Sequence, residues 1–227
     1  MKISADGLGQ AFTLVELLAI VVIVMAIATV LLPRLARAKC HCGQHANCVN
    51  NLKQIGVAVR TWALDNGDKY PTHVSVSKGG AMESLTKGMA LPFFEVMSNE
   101  LSTPKILICP KESDAYRVAA TTFSSVVPPA SSGQIPFTNG NNLSYFVGID
   151  AVEEPPQSVL CGDDNFALDG LRLRHRLIRA WRGSSVQWTK TRHIDQGNLL
   201  FADGSVVQAN NGMLVVALGA TNRFAMP

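Results

Sequence analysis

Chemistry in this chain has to come from a few clusters of side chains. Cys40, His41, Cys42, His45 and Cys48 bring together thiols and imidazoles, the groups that bind zinc. Zinc sites, however, favour a C-x2–4-C pair with a second pair further on. Cys40 and Cys42 are two positions apart, nearly opposite on a helix, and no second pair follows at suitable spacing. A solvated, partly packed helix is expected there, and no metal. Five cysteines cannot all pair within one chain. Cys109 and Cys161 are the better candidates for an internal disulfide, and thiols of the 40–48 cluster can cross-link neighbouring chains in an oxidising compartment.

Near the C-terminus His193 is followed, after nine residues, by Asp203-Gly204. His193 and Asp203 can hydrogen-bond and brace a hairpin, or form half of a catalytic arrangement. No convincing nucleophile accompanies them, and nucleophilic catalysis needs a third group. The brace is expected. Asp65, Asn66 and Asp68, like Asp163 and Asp164, offer hard oxygen ligands suited to calcium. Neither segment has a complete calcium loop, so caps and turns are expected and no cofactor. Leu171 to Arg182 alternates Leu with Arg and carries Arg172, Arg174, Arg176, Arg179 and Arg182 beside Trp181. A basic face with an aromatic can grip phosphates and a base. The formal net charge of +3 is too small to argue for nucleic acid. A charge-protected edge strand is expected, and DNA is not an expected partner.

These groups need elements to hold them. Residues 1–11 are polar and Gly-containing, whereas Phe12 to Leu32 is apolar except for Thr13, Glu16 and Thr29. A bilayer core of about 30 Å needs about 20 apolar residues at 1.5 Å rise, so the run predicts a transmembrane helix. An ordinary secretory signal has its small-residue cleavage site after a shorter apolar region, the reverse of this order. A carboxylate such as Glu16, unpaired at mid-bilayer, costs about 2.5–3.5 kcal/mol and so marks a function; the bland alternative is a hydrated position near the helix N-terminus. Pro33 ends the apolar run, and proline inside a helix kinks it. Beyond it, Leu52, Ile55, Val59 and Trp62 fall at helical spacing and predict one buried stripe, stopped at Asp65-Asn66-Gly67-Asp68. Pro92 to Leu101 reads as a short helix, Ile106 to Ile108 and Leu143 to Ile149 as strands, and Thr121 to Gly140 as a loop. Asn198 to Ala202 and Ser205 to Gln208 flank Asp-Gly, a two-residue hairpin signal.

The stretch Gln10-Ala11-Phe12-Thr13-Leu14-Val15-Glu16-Leu17-Leu18 resembles the prepilin peptidase site of type IV pilins and type II secretion pseudopilins. Cys48 to Pro71 and the His193…Asp203-Gly204 signature resemble a large bacterial group of pilin-like proteins with a C-terminal H-x9-DG motif. The resemblance implies cleavage between Ala11 and Phe12, methylation of the new Phe12 amine, and pairing of Glu16 with a neighbouring subunit's N-terminus. The family usually has Gly where this chain has Ala11. It implies a leader at 1–11, a transmembrane and assembly helix at 12–33 kinked at Pro33, an amphipathic continuation at 34–66, and a head at 67–227 whose signature residues are His193, Asp203 and Gly204. The implied fold is α+β, a long N-terminal helix packed on an antiparallel β-sheet head.

The function expected on this basis is structural and not enzymatic: a pseudopilin or pilin subunit of an inner-membrane-based filament, with the N-terminus cytoplasmic and the head periplasmic. Lys2 before the span and Arg34, Arg37 and Lys39 after it point the opposite way by the positive-inside rule, and the cleavage pattern is preferred to that count. Expected partners are prepilin peptidase, like or related pilin subunits, the secretion or pilus inner-membrane platform, and membrane lipid. The alternative is a membrane-anchored enzyme or metal-dependent sensor using His193 and Asp203, or the Cys40–Cys48 cluster.

Overall fold

The computed structural model describes residues 13–37, 41–124, 132–152, 158–172, 174, 176–179, 184–220 and 223–227; for 30–37, 41–45 and 220 it describes the backbone alone. Two compact units are present, Met1–Gly43 and Gln44–Pro227. In the first unit, helix α1 covers Leu14–Arg37. Its start is fixed locally. Thr13 Oγ1 accepts from the Glu16 N–H at 3.3 Å, and Glu16 Oε2 accepts from the Thr13 N–H and hydroxyl, each at 2.9 Å. This reciprocal pair is a capping box, satisfying donors that a helix N-terminus leaves open. α1 continues past Pro33 to Arg37, so the proline does not end the helix.

Two sequence expectations are overturned here. Among the described residues, no helix is long and apolar enough to cross a membrane. The single-pass inner-membrane placement is corrected accordingly. The expected single long N-terminal helix is corrected too: α1 is one element, and α2, His41–Asp65, is another. The larger part of the fold is antiparallel β-structure in the C-terminal half, with nine strands among the described residues.

In the second unit α2 buries Cys48, Leu52, Ile55, Val59 and Trp62, the face that helical periodicity gives. It stops where the Asn66 and Asp68 N–H groups both donate to the Ala63 carbonyl at 2.9 Å and Gly67 turns to φ +67°. Short helices follow: α3 Met82–Thr86, α4 Leu91–Glu95 and α5 Ser98–Leu101, pinned by buried Leu85, Phe93, Phe94 and Leu101. The strand expected at 106–108 is corrected: Pro104–Leu107 forms a 3-10 turn, because Thr103 caps it and Pro104 pre-sets its φ.

The main sheet has six antiparallel strands, built from β1 Tyr145–Gly148, β2 Val159–Asp163, β5 Leu177–Arg179, β7 Gly197–Phe201, β8 Val206–Ala209 and β9 Arg223–Ala225. Their order is β5-β9-β1-β2-β7-β8. A smaller sheet holds β3 Phe166–Leu168 between β4 Leu171–Arg172 and β6 Val186–Trp188. Alternation along the central strands divides two cores. Tyr145, Val147, Cys161 and Leu200 face the α2 side. Phe146, Val159, Leu199 and Phe224 face the small sheet and α6, Asn211–Ala220. The Leu171–Arg182 stretch is split, with β4 in the small sheet and β5 at the edge of the large one.

Candidate functional site

In the first unit Glu16 is exposed, and its carboxylate is turned back onto Thr13 by the capping box. Around it Leu14, Val15, Leu17 and Leu18 are 79%, 74%, 59% and 61% exposed. Ala11 and Phe12, the expected processing residues, lie outside the described residues.

In the second unit polar side chains converge between α2 and the main sheet. Cys48 comes from α2 and Cys109 from the segment after the Pro104–Leu107 turn, and the two form a disulfide with Cα atoms 5.4 Å apart. The expected Cys109–Cys161 bridge is corrected by this pairing. Cys161, on β2, is a free buried thiol, and burial pushes its pKa well up, away from a reactive thiolate. Cys48 supplied no signal for Cys109 because helical spacing says nothing about a partner that lies 61 residues away.

His193 reaches the same place from the turn before β7. Its Nε2 is 3.4 Å from Cys109 Sγ and 3.4 Å from Asp163 Oδ2, at the end of β2. Arg192, Ile194 and Asp195 around it all have φ between +51° and +62°. Left-handed backbone at non-glycine residues is strained and persists only where surrounding contacts hold it. Asp163 Oδ2 also accepts from the Asn198 N–H at 2.7 Å and from Asn198 Nδ2 at 2.8 Å. Burial pushes the Asp163 carboxyl up to about 6, against the opposing pull of Arg192 and the two Asn198 hydrogen bonds.

Beside this cluster lies a buried ion network. Asp164 pairs through Oδ1 with Arg192 and through Oδ2 with Arg117. Glu112 Oε2 is 3.0 Å from Arg192 NH2 and 3.5 Å from Arg117 Nε, and also accepts from Ser144 Oγ at 2.7 Å. Arg192 adds a 3.0 Å bond to the Ser144 carbonyl. Two guanidinium groups thus meet two carboxylates, which offsets much of the cost of taking each charge out of water.

The other expected site residues go elsewhere. Asp203 is exposed in the hairpin turn, where its Oδ1 accepts from the Ser205 N–H at 2.8 Å. His193 faces Cys109 and Asp163 in the interior whereas Asp203 caps its own turn, so the motif's histidine and aspartate do separate jobs. The expected His193–Asp203 brace is corrected: one orders the core and the other the turn. The hairpin itself is present, but its loop is Ala202-Asp203-Gly204, closed by Gly204 N–H to Phe201 O and Phe201 N–H to Ser205 O, both 2.9 Å. Gly204 takes φ +84°, the left-handed position of a three-residue hairpin loop.

Cys40 lies outside the described residues, as do the side chains of His41, Cys42 and His45 and, in the basic stretch, Trp181 and Arg182. Arg172 and Arg174 are 3.0 and 3.3 Å from Asp114 Oδ2, and Arg174 stacks 4.2 Å from the Tyr116 ring centroid. Their charge is spent on Asp114. Asp164 is committed to guanidinium groups, and Asp163 to Asn198, so that acidic pair offers no calcium loop. Glu112, Arg117 and Arg192 were missed as site residues, and Asp163 and Asp164 were read only as oxygen ligands for calcium or as turn residues. The usable signal was the charged doublet Asp163-Asp164 closing an apolar strand, since buried carboxylates need partners.

Comparison of the chain with protein-family models, curated proteins and solved structures finds no match.

Proposed function

We propose that this protein is a filament subunit of the type IV pilin and pseudopilin kind, matured by a prepilin peptidase that cuts between Ala11 and Phe12. The protein does no chemistry of its own and is the peptidase's substrate. Its partners are like or related subunits and the secretion or pilus machine that assembles them. The reading rests on the residues from Gln10 to Leu18. The observation that supports it most directly is Glu16, an exposed carboxylate in the first turn of a helix whose apolar side chains are uncovered. Cutting before Phe12 creates a cationic amine, and an exposed carboxylate on a neighbouring helix is its natural counter-charge. Apolar surface of this kind requires cover, and packing of like helices along a filament provides it.

The test is the intact mass and N-terminal sequence of the full chain, produced with and without a prepilin peptidase. A product starting at methylated Phe12 only when the peptidase is present supports the proposal. A chain that still starts at Met1 in its presence overturns it.

A further inference from the structure

Cys48 Sγ, Cys109 Sγ and a His193 ring nitrogen all lie within 4.8 Å of one another, and all three residues are buried. His193 Nε2 is the nitrogen that faces the cluster, 3.4 Å from Cys109 Sγ. Its other near neighbour is Asp163 Oδ2, also at 3.4 Å. Zinc–sulfur bonds of about 2.3 Å and zinc–nitrogen or –oxygen bonds of about 2.0–2.1 Å at tetrahedral angles place neighbouring ligand atoms about 3.3–3.8 Å apart. The 3.4 Å between Cys109 Sγ and His193 Nε2 is of that size. The surroundings fit as well. The Asn198 N–H and side-chain amide both hold Asp163 Oδ2 beside the imidazole. The strained backbone at 192–195 keeps His193 turned inward.

We propose that the reduced chain binds one tetrahedral zinc ion through Cys48 Sγ, Cys109 Sγ and His193 Nε2, with water as the fourth ligand, so that disulfide and metal are alternative cross-links of the same segments. Two thiolates and an imidazole are donors that suit zinc, and all three residues are buried. This inference is independent of the filament reading. Reduction by a trialkylphosphine consumes one water: the phosphine becomes its oxide, the S–S bond breaks, and each sulfur gains a proton. Zinc then displaces both thiol protons to the buffer and binds two thiolates and the neutral imidazole. In an oxidising compartment the disulfide ties α2 to the Cys109 segment; in a reducing one the ion ties those two segments to the His193 turn as well.

The experiment uses the full chain, unfolded and reduced with a trialkylphosphine, then refolded without oxygen in the presence of Co2+ as the probe for zinc. The expected result is one Co2+ per chain, with the visible bands of tetrahedral cobalt and sulfur-to-cobalt charge transfer in the ultraviolet. The disulfide-intact chain is expected to show neither. The double variant Cys40→Ser/Cys42→Ser is expected to keep both, and His193→Gln to weaken binding by about tenfold or more. Absence of these bands from the reduced wild-type chain overturns the proposal. So does their presence in the disulfide-intact chain, or their loss in Cys40→Ser/Cys42→Ser. Circular dichroism of each sample monitors refolding; should His193→Gln fail to refold, the reduced, disulfide-intact and Cys40→Ser/Cys42→Ser chains decide the matter.

Discussion

Arg192 and Asp164 form an ion pair whose side chains are 0% and 2% exposed, immediately before the inward-facing His193. In such a place the attraction between two charges roughly balances their lost hydration, but a single remaining charge has no compensation. Asp164→Asn removes the charge that both Arg192 and Arg117 use. The expected loss is about 3 kcal/mol, toward the lower end for a broken buried pair because Glu112 remains. Urea unfolding of the oxidised chain checks it as a lower midpoint at unchanged slope. A loss below about 1 kcal/mol would place the pair among the weak surface bridges instead.

Gly197 opens β7 against the face of Trp188. A Cβ built on Gly197 falls onto the six-membered ring of Trp188, which is 3% exposed and has no room to retreat. Gly197→Ala is therefore expected to cost about 1–3 kcal/mol through overpacking. Thermal unfolding of the variant measures this, and near-ultraviolet circular dichroism of the folded protein should report a changed Trp188 environment. Unaltered stability would mean that β7 shifts freely, against its pairing with both β2 and β8.

Asp114 gives a pH dependence with a definite sign. Burial raises its carboxyl, but hydrogen bonds from Arg172 and Tyr116, with the charges of Arg172 and Arg174, outweigh this and hold it at about 2, against an ordinary value of 3.8. The unfolded chain therefore takes up the proton first on acidification. Stability from Asp114 is fully present above pH about 4 and is lost as pH falls toward about 2. Asp114→Asn should flatten that part of the profile, measured as the difference in unfolding free energy between the two proteins at each pH. A parallel pair of curves between pH 2 and 4 would show that Asp114 gains nothing from its arginines.

The elements legible in the sequence are those whose cause is local. Leu52, Ile55, Val59 and Trp62 declare a buried helix face because spacing alone puts them on one side. Asp203-Gly204 declares a turn because glycine accepts a left-handed backbone, though loop length needed the structure. Strand order was hidden, since β5 and β9 meet at Ile178 and Phe224 with no local pattern to announce it. The polar centre was hidden for the same reason: Cys48, Cys109, Asp163 and His193 come from four separate elements. Each has a bland local reading, and only the tertiary fold makes them neighbours. The membrane reading failed differently, by treating an apolar run as sufficient by itself.

Glu16 carries two separable roles, and its link to Thr13 allows them to be tested apart. As the third residue of α1 it closes a capping box, a role in which glutamine serves as well as glutamate. As an assembly carboxylate it must carry charge, which glutamine lacks. Thr13→Ala removes the two bonds made by the hydroxyl, at about 1 kcal/mol of helix stability, but leaves the carboxylate and its bond from the residue-13 N–H. Glu16→Gln is thus expected to abolish filaments while keeping the helix, and Thr13→Ala to assemble filaments at reduced yield. Electron microscopy and sedimentation of sheared filaments read the assembly, and intact mass confirms that processing at Phe12 is unchanged. Filaments from Glu16→Gln but none from Thr13→Ala would make Glu16 a helix cap alone, and the counter-charge of the Phe12 amine would have to be found elsewhere.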